Sequence, residues 1–331
     1  MSGKIRWGIM GLGRIASKFA SDLSLVKNAE LVAVGSRNME KAKAFGAEFK
    51  APLVYDSYEA LVQDKNVDVI YVATPHSHHH ENTLLCLNNN KAVLCEKAFA
   101  VNSRQSEEMI ALAREKKIFL MEALWTKFIP QYKRLMEILK EEKLGQIKSV
   151  LIDFGFRPQA PIPERLFDPE LAGGTILDIG IYNVFMAMSV LGKPDEIEAH
   201  MTPAPTGIDE QCSVLFKYKN GAIAQLFSSF VSHLPTEANI SGTDGRIKLT
   251  NRFYAPESTI EYYPERFDSR QLVEIKKHYE GHGYQYEAEH VGECLLKGLT
   301  ESPVITLDET LERMQVLDEI RRKAGIVYSA D

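Results

Sequence analysis

The sequence predicts an α/β protein in two parts: a doubly wound parallel sheet, then an α+β part whose sheet is largely antiparallel and open on one face. Three observations lead there. Over the first third, short apolar runs alternate with amphipathic helical stretches, the pattern of βαβ units. A Gly-x-Gly-x-x-Ala pattern joins the first apolar run to the first helical stretch. Beyond about Glu122 the apolar runs pair around Asn-Gly and Asp-Gly, the order of hairpins rather than crossovers. At 331 residues the chain is longer than one core usually serves, so a first domain over 1–122 and a second over 123–331 are expected.

In the first domain the strands fall at Ile5–Met10, Ala29–Ser36, Val69–Ala73, Ala92–Cys95 and Ile118–Met121. Each is a short β-branched or apolar run bounded by polar residues. Helices fill the intervals at Arg14–Leu25, Met39–Phe49, Tyr58–Gln63, His78–Asn88 and Ser103–Lys116, with Ser103 able to cap the last. In the second domain a helix starts at Pro130, tolerated in a first turn, and runs to Leu144 before Gly145. Gln211–Tyr218 and Ala222–Phe230 flank Asn220-Gly221, a type I′ turn signal, and Glu237–Ser241 and Arg246–Leu249 flank Asp244-Gly245 likewise.

Bulk properties narrow the function. With net charge −6 and no dense Lys/Arg run, neither a nucleic-acid surface nor a polybasic membrane surface is expected. Cys86, Cys95, Cys212 and Cys294 form no CxxC pair, which suits reduced thiols better than disulfides or a zinc site. The chain enters its first strand without an apolar signal stretch, and no run reads as membrane-spanning. A soluble, cytoplasmic protein is expected.

The first motif is Gly11-Leu12-Gly13-Arg14-Ile15-Ala16, directly after a strand and opening a helix. Gly11 permits the tight turn, Gly13 lets backbone approach a pyrophosphate at the helix N-terminus, and Ala16 allows close helix–strand packing. This context makes the first domain a Rossmann nucleotide-binding domain. At the end of the second strand stand Ser36 and Arg37, with Lys41 a turn onward, where an NAD site usually carries an acid. A guanidinium there matches a 2′-phosphate, so NADP is favoured over NAD; a solvated loop arginine is the alternative.

The later strand ends face the same cofactor. One carries Thr74, Pro75, His76 and His79, and the next carries Glu96 and Lys97. The histidines lack metal-ligand spacing, so no metal is expected. A second constellation lies in Gly173-Gly174-Thr175-Ile176-Leu177-Asp178-Ile179-Gly180-Ile181-Tyr182. Asp178 and Tyr182, four apart, share a helix face in an otherwise apolar run. They form either a buried structural hydrogen bond or a catalytic pair. In the catalytic reading Tyr182 meets the substrate oxygen, an ammonium at Lys97 favours its phenolate, and Asp178 orients or balances charge.

These motifs resemble the Gfo/Idh/MocA (glucose–fructose oxidoreductase, inositol dehydrogenase, rhizopine catabolism) family over essentially the whole chain. Glu96-Lys97 falls on its EKP motif, and Gly173, Gly174, Asp178, Gly180 and Tyr182 fall on its second-domain helix motif. Thr74-Pro75 and His79 match its TPN-x-x-H loop, with His76 in place of Asn. Met121-Glu122-Ala123-Leu124-Trp125-Thr126-Lys127-Phe128, Tyr182 and the stretch Tyr286–Val291 with Leu295–Leu299 are similar to one branch, the dimeric dihydrodiol dehydrogenases and NADP-dependent D-xylose dehydrogenases. One departure stands out: Ala98 follows Lys97 where the motif has proline, removing a local backbone constraint.

The resemblance implies a catalytic tyrosine with a neighbouring lysine, here Tyr182 and Lys97 beside Asp178. It also implies cofactor contacts from Gly11, Leu12, Gly13, Arg14, Ile15, Ser36, Arg37, Lys41, Thr74, Pro75, His76, His79, Glu96 and Lys97. Trp125 and Phe154 become walls of the substrate pocket, although a core aromatic is the alternative for Trp125. The expected activity is hydride transfer between NADP(H) and the CH–OH or carbonyl group of a sugar, polyol or trans-dihydrodiol. A non-catalytic NADP-responsive regulator or binding module is the alternative, because fold alone does not establish catalysis. The partner is a small-molecule substrate, and the resemblance implies a homodimer through the second sheet, or a larger assembly.

Overall fold

The computed structural model describes residues 3–264, 269–275 and 280–331. It divides into two compact units, Met1–Lys127 with Tyr279–Met314, and Phe128–His278 with Gln315–Asp331. The division therefore falls after Lys127 rather than residue 122, and a later segment returns to the first unit instead of continuing the second to residue 331. What holds the returning segment is non-local. The fully buried Asp22 carboxylate accepts the backbone N–H groups of His282 (2.9 Å) and Tyr284 (2.8 Å), supplying partners at the start of a helix.

The first unit holds strands β1 (Ile5–Met10), β2 (Ala29–Gly35), β3 (Leu53–Tyr55), β4 (Val69–Val72), β5 (Ala92–Glu96) and β6 (Leu120–Ala123). They form one sheet in the order β3-β2-β1-β4-β5-β6, with every pairing parallel. This is the doubly wound order that reverses between β1 and β4 and leaves a crevice at the strand ends. Helices α1 (Arg14–Leu23), α2 (Met39–Phe49), α3 (Tyr58–Gln63), α4 (His79–Asn88) and α5 (Ser103–Lys116) connect the strands. The core is aromatic as well as aliphatic: Phe19 of α1 stacks on Tyr71 of β4 at 3.9 Å and tilts against Trp7 of β1 at 5.3 Å.

Several local expectations change: the last strand runs over Leu120–Ala123 instead of Ile118–Met121, and α1 stops at Leu23 instead of Leu25. β3 is an additional strand, too short at three residues to show a period. Asn102, not Ser103, caps α5, its side chain accepting the N–H of Gln105 at 3.0 Å. The helix expected from His78 begins with a 3₁₀ turn, His76–His78, and α4 follows.

In the second unit, α6 (Pro130–Lys140) starts at its proline but ends before Leu144; Glu142, two residues on, has φ of +53°. Eight strands follow: β7 (Ile147–Gly155), β8 (Glu196–Pro203), β9 (Asp209–Lys217), β10 (Ile223–Ser229), β11 (Ala238–Gly242), β12 (Arg246–Leu249), β13 (Ile260–Tyr263) and β14 (Gln271–Val273). Their order is β14-β13-β12-β11-β7-β10-β9-β8, antiparallel except for the β7–β10 pair. Alternation sets the two faces: Val150, Ile152, Ala224 and Leu226 are buried, while Leu151 and Ile223 on the other face are exposed. α7 (Ile181–Leu191) packs against β7 and β10.

Both hairpins form, but neither uses a type I′ turn. Gly221 has φ of +81° while Asn220 does not reach positive φ, and Gly221 N–H donates to Tyr218 O at 2.9 Å. That is a three-residue loop closed by a glycine bulge. At the second hairpin Gly242 N–H donates to Gly245 O (2.8 Å) across Thr243-Asp244, neither of which has positive φ.

The stretch Pro169–Leu191 is long and apolar enough to cross a membrane by length and composition, contrary to the sequence expectation. Of its most apolar window, 78% is buried within the protein, as in a core helix. Two further α-helices among the described residues are α8 (Gln285–Leu296) and α9 (Leu307–Ala324).

Candidate active site

In the first unit the glycine turn after β1 is forced by its neighbours. Gly11 has φ of +88°, and a Cβ there would lie 2.9 Å from the backbone of Ala73. Gly13 precedes α1 with no side-chain cap, and a Cβ on it would meet nothing within 4 Å. The uncapped N–H groups thus face open space, an arrangement that fits a pyrophosphate. Ala16 is fully buried and Leu12 nearly so, while Arg14 is exposed and Ile15 half-buried.

At the end of β2, Ser36 is buried and its hydroxyl accepts the N–H of Asn38 at 3.2 Å. Arg37 and Lys41 are exposed, and Asn38 caps α2. Ser36, Arg37 and Asn38 occupy the strand end where a ribose-binding acid would stand, and Glu40, the acid that follows, reaches Lys43 at 3.1 Å. The unit accordingly fits an anionic group there better than a free ribose hydroxyl.

The ends of β4 and β5 are tied through His79. Its Nε2 lies 2.8 Å from Thr74 O and its Nδ1 2.7 Å from Ala98 O. Burial pushes its pKa down to about 4, with the two carbonyls acting the other way. His79 is therefore a strut between two loops, while Asn82 donates to the Thr74 hydroxyl at 3.1 Å. His78 and His80 have their own carboxylates, Glu81 (2.6 Å) and Glu108 (2.8 Å), and His76 is buried after Pro75. No three His, Cys, Asp or Glu residues among those described are placed to hold a metal ion.

Glu96 is buried at the end of β5, accepting the hydroxyl of Tyr71 and the N–H of Lys97 (3.2 Å). Burial raises its pKa to about 7, opposed by Lys97 and the Tyr71 bond. Lys97 is half-buried, and its peptide bond to Ala98 is cis. Sequence reading did not foresee Glu287 of α8, which is fully buried, with no hydrogen-bond partner to either carboxyl oxygen among the described residues. Burial and then Glu96 push its pKa well above the ordinary range. Trp125 is also buried, 3% exposed, and stacks on Tyr284 with ring centroids 4.5 Å apart.

In the second unit, Gly174 has φ of +106°, and a Cβ there would lie 2.2 Å from Asp209 Oδ1. Asp209 is buried and accepts the Thr175 hydroxyl (2.6 Å) and the Ile176 N–H (2.7 Å), with burial raising its pKa to about 6. One wide turn of π-helix, Ile176–Gly180, follows, and α7 continues from it. Such turns recur at functional sites. Asp178 lies in that turn and Tyr182 at the start of α7, both buried. Arg165 reaches Asp178 at 3.2 Å. The Tyr182 ring lies 4.6 Å from Tyr254 and 6.0 Å from Phe154, which stacks on Tyr254 at 4.5 Å. The structure thus brings Asp178, Tyr182 and Phe154 into one cluster and adds Arg165 and Tyr254, for which the sequence offered no periodicity or motif.

The model of the oxidoreductase family with NAD-binding Rossmann fold, Gfo/Idh/MocA, matches residues 5–124, and that of its C-terminal domain matches 132–248. The chain belongs to the Gfo/Idh/MocA family. Its relatives are similar from end to end. A trans-1,2-dihydrobenzene-1,2-diol dehydrogenase of Xenopus laevis is 39% identical over 98% of this chain and 99% of its own. The human protein of the same name is 37% identical over 99% of each. Among solved structures, the Actinomadura kijaniata 3-ketoreductase KijD10, in complex with NADP and TDP-benzene, aligns over 97% of this chain and 98% of its own, with TM-score 0.87 and 24% identity. The Caulobacter crescentus aldose-aldose oxidoreductase aligns over the same shares, with TM-score 0.88 and 24% identity. At that identity these two likenesses concern the fold.

As a Gfo/Idh/MocA chain, the protein is an oxidoreductase acting on CH–OH groups.

Proposed function

We propose that the protein is an NADP(H)-dependent dehydrogenase or reductase of sugars, polyols or trans-dihydrodiols, with a homodimer as its working state. The cofactor supplies the hydride acceptor or donor. Gly11, Leu12, Gly13, Arg14 and Ile15 would hold its pyrophosphate. Ser36, Arg37 and Lys41 would hold its 2′-phosphate, and Thr74, Pro75, His76, His79 and Glu96 would shape the nicotinamide end. Tyr182 takes or returns the proton of the reacting hydroxyl, and Asp178 orients that exchange. Lys97 supplies positive charge to the oxygen as its proton leaves. Trp125 and Phe154 contribute apolar surface to substrate binding.

The observation that carries this reading is the pair Asp178 and Tyr182 at the mouth of a buried helix, in a chain related end to end to dihydrodiol dehydrogenases. Arg37 at the end of β2, where an NAD site usually carries an acid, supports NADP. The four cysteines, free and buried, support a reducing, cytoplasmic setting. A screen of NADP⁺-linked oxidation over aldoses, polyols and trans-dihydrodiols, repeated with NAD⁺, tests the proposal. Turnover with an NADP⁺ preference that falls in Arg37→Ala is expected; tight NADPH binding without turnover on any member would overturn it.

A further inference from the structure

The π-turn that carries Asp178 starts without a side-chain cap, so its first backbone groups are held from outside the turn. Asp209 takes the Ile176 N–H at 2.7 Å. A second group acts just ahead of it: the hydroxyl of Tyr328, 155 positions away, donates to Gly173 O at 2.6 Å. Both reach the same point, since a Cβ on Gly174 would lie 2.2 Å from Asp209 Oδ1 and 3.1 Å from the Tyr328 hydroxyl oxygen.

Residues 321–331 are arranged to deliver that hydroxyl. Beyond the end of α9, Gly325 turns with φ of +76° and Ile326 N–H closes on Arg321 O at 2.9 Å, as in a glycine-ended helix. The chain then folds on itself. Asp331 N–H donates to Tyr328 O at 3.2 Å, and Tyr328 N–H donates to Asp331 Oδ2 at 2.9 Å. The buried Arg321 clamps this turn from α9, with Nη1 and Nη2 on the Asp331 carboxylate at 2.8 and 3.0 Å and Nη2 on Asp318 at 2.9 Å. Its Cζ also lies 5.0 Å from the centroid of the buried Tyr328 ring. Burial, then the charge of Asp209, hold the Tyr328 hydroxyl well above the usual tyrosine pKa, so it keeps the proton it donates.

A single π-turn is a rare conformation, and here its start is pinned on both sides by side chains from distant segments. We propose that Tyr328 is a positioning residue: clamped by Arg321 and Asp331, it fixes the start of the π-turn and thereby sets Asp178 and Tyr182 in their reacting arrangement. The role depends on the proton exchange proposed above for Tyr182, and it belongs to a residue that none of the site motifs contains. Small displacements matter there, because a reacting group misplaced by about 1 Å costs about a hundredfold in rate.

The test uses Tyr328→Phe, which keeps the ring and deletes the donor, and Asp331→Ala, which loosens the clamp without touching Gly173. Amide exchange of residues 174–182, followed by mass spectrometry in the NADPH-bound protein, reads the turn directly. Oxidation of trans-1,2-dihydrobenzene-1,2-diol with NADP⁺ reads the consequence. Tyr328→Phe should speed that exchange about tenfold or more while β9 and β10 stay within about twofold. It should lower kcat about ten- to a hundredfold and leave KM and the NADPH dissociation constant within about threefold. Asp331→Ala should move both readouts the same way by less, and it carries the test alone if Tyr328→Phe does not fold. In a Tyr182→Phe background, Tyr328→Phe should cost no more than about twofold, because the group it positions is gone. Unchanged exchange over 174–182, or an equal loss of kcat in both backgrounds, would overturn the proposal; so would exchange that rises throughout the second unit, which makes Tyr328 a general prop. The two readings fail separately. A wild type inactive with every alcohol of the screen, or normal turnover in Tyr182→Phe, removes the dehydrogenase or its tyrosine and this role with it. An impaired Tyr182→Phe beside a Tyr328→Phe of wild-type kcat removes only the role of Tyr328.

Discussion

Lys97 is held at its backbone by a buried carboxylate, with Tyr71 on the far side of that carboxylate. Removing the ammonium should leave this frame intact. Lys97→Met is expected to lower kcat by about a hundred- to ten-thousandfold while the NADPH dissociation constant stays within a few-fold, measured by steady-state kinetics and fluorescence titration. Glu287 yields a prediction about pH. In the folded protein its carboxyl keeps a proton at pH values where the unfolded chain has lost it. The folded state then binds more protons, so stability is greatest below the ordinary glutamate pKa and declines as pH rises. Glu287→Gln removes the titrating proton and keeps the shape. Thermal melts between about pH 5 and 8 should therefore fall less steeply for the variant than for the wild type. Parallel pH dependences would mean that Glu287 is not the proton-holding group.

The glycine pair ahead of the π-turn shows how one element positions the site. Gly174 occupies a backbone region open to glycine, and its Cα faces Asp209, which holds the first N–H of the turn. Gly174→Ala should cost roughly 2 kcal/mol or more and reduce kcat, because Asp209 must move from Ile176. A melting curve and activity like those of the wild type would contradict this. Much at this scale was legible beforehand. α2, α3 and α5 have the expected spans, since their apolar spacing and flanking polar residues are local signals. The cap of α5 moved by one residue, from Ser103 to Asn102, because both side chains suit a cap and only backbone geometry chooses. The hairpins were legible as hairpins, but the Asn-Gly signal did not disclose the extra residue in the loop.

For the whole molecule, the exposed face of the second sheet is the surface we propose for self-association. Leu151 of β7 and Ile223 of β10 are 45% and 42% exposed, and their strands pair in a register that sets both on that face. Leu151→Asp should shift sedimentation from dimer towards monomer while the melting curve of the isolated protomer changes little, because the residue is solvent-facing in one chain. A monomeric wild type at every concentration would remove the dimer.

Local chemistry in the sequence was enough for the nucleotide fingerprint, the succession of βαβ units and the hairpin part; it placed Asp178 and Tyr182 in one apolar helical run but did not disclose the π-turn that carries Asp178. Those properties depend on residues a few positions apart, where helical and extended periods and turn preferences act directly. Tertiary structure alone decided that Asp22 captures the turn before α8 some 260 positions away, that Glu287 is buried near Glu96 with no hydrogen-bond partner among the described residues, and that Arg165 meets Asp178. Such contacts depend on how distant segments share buried volume, and neither spacing nor composition encodes that directly.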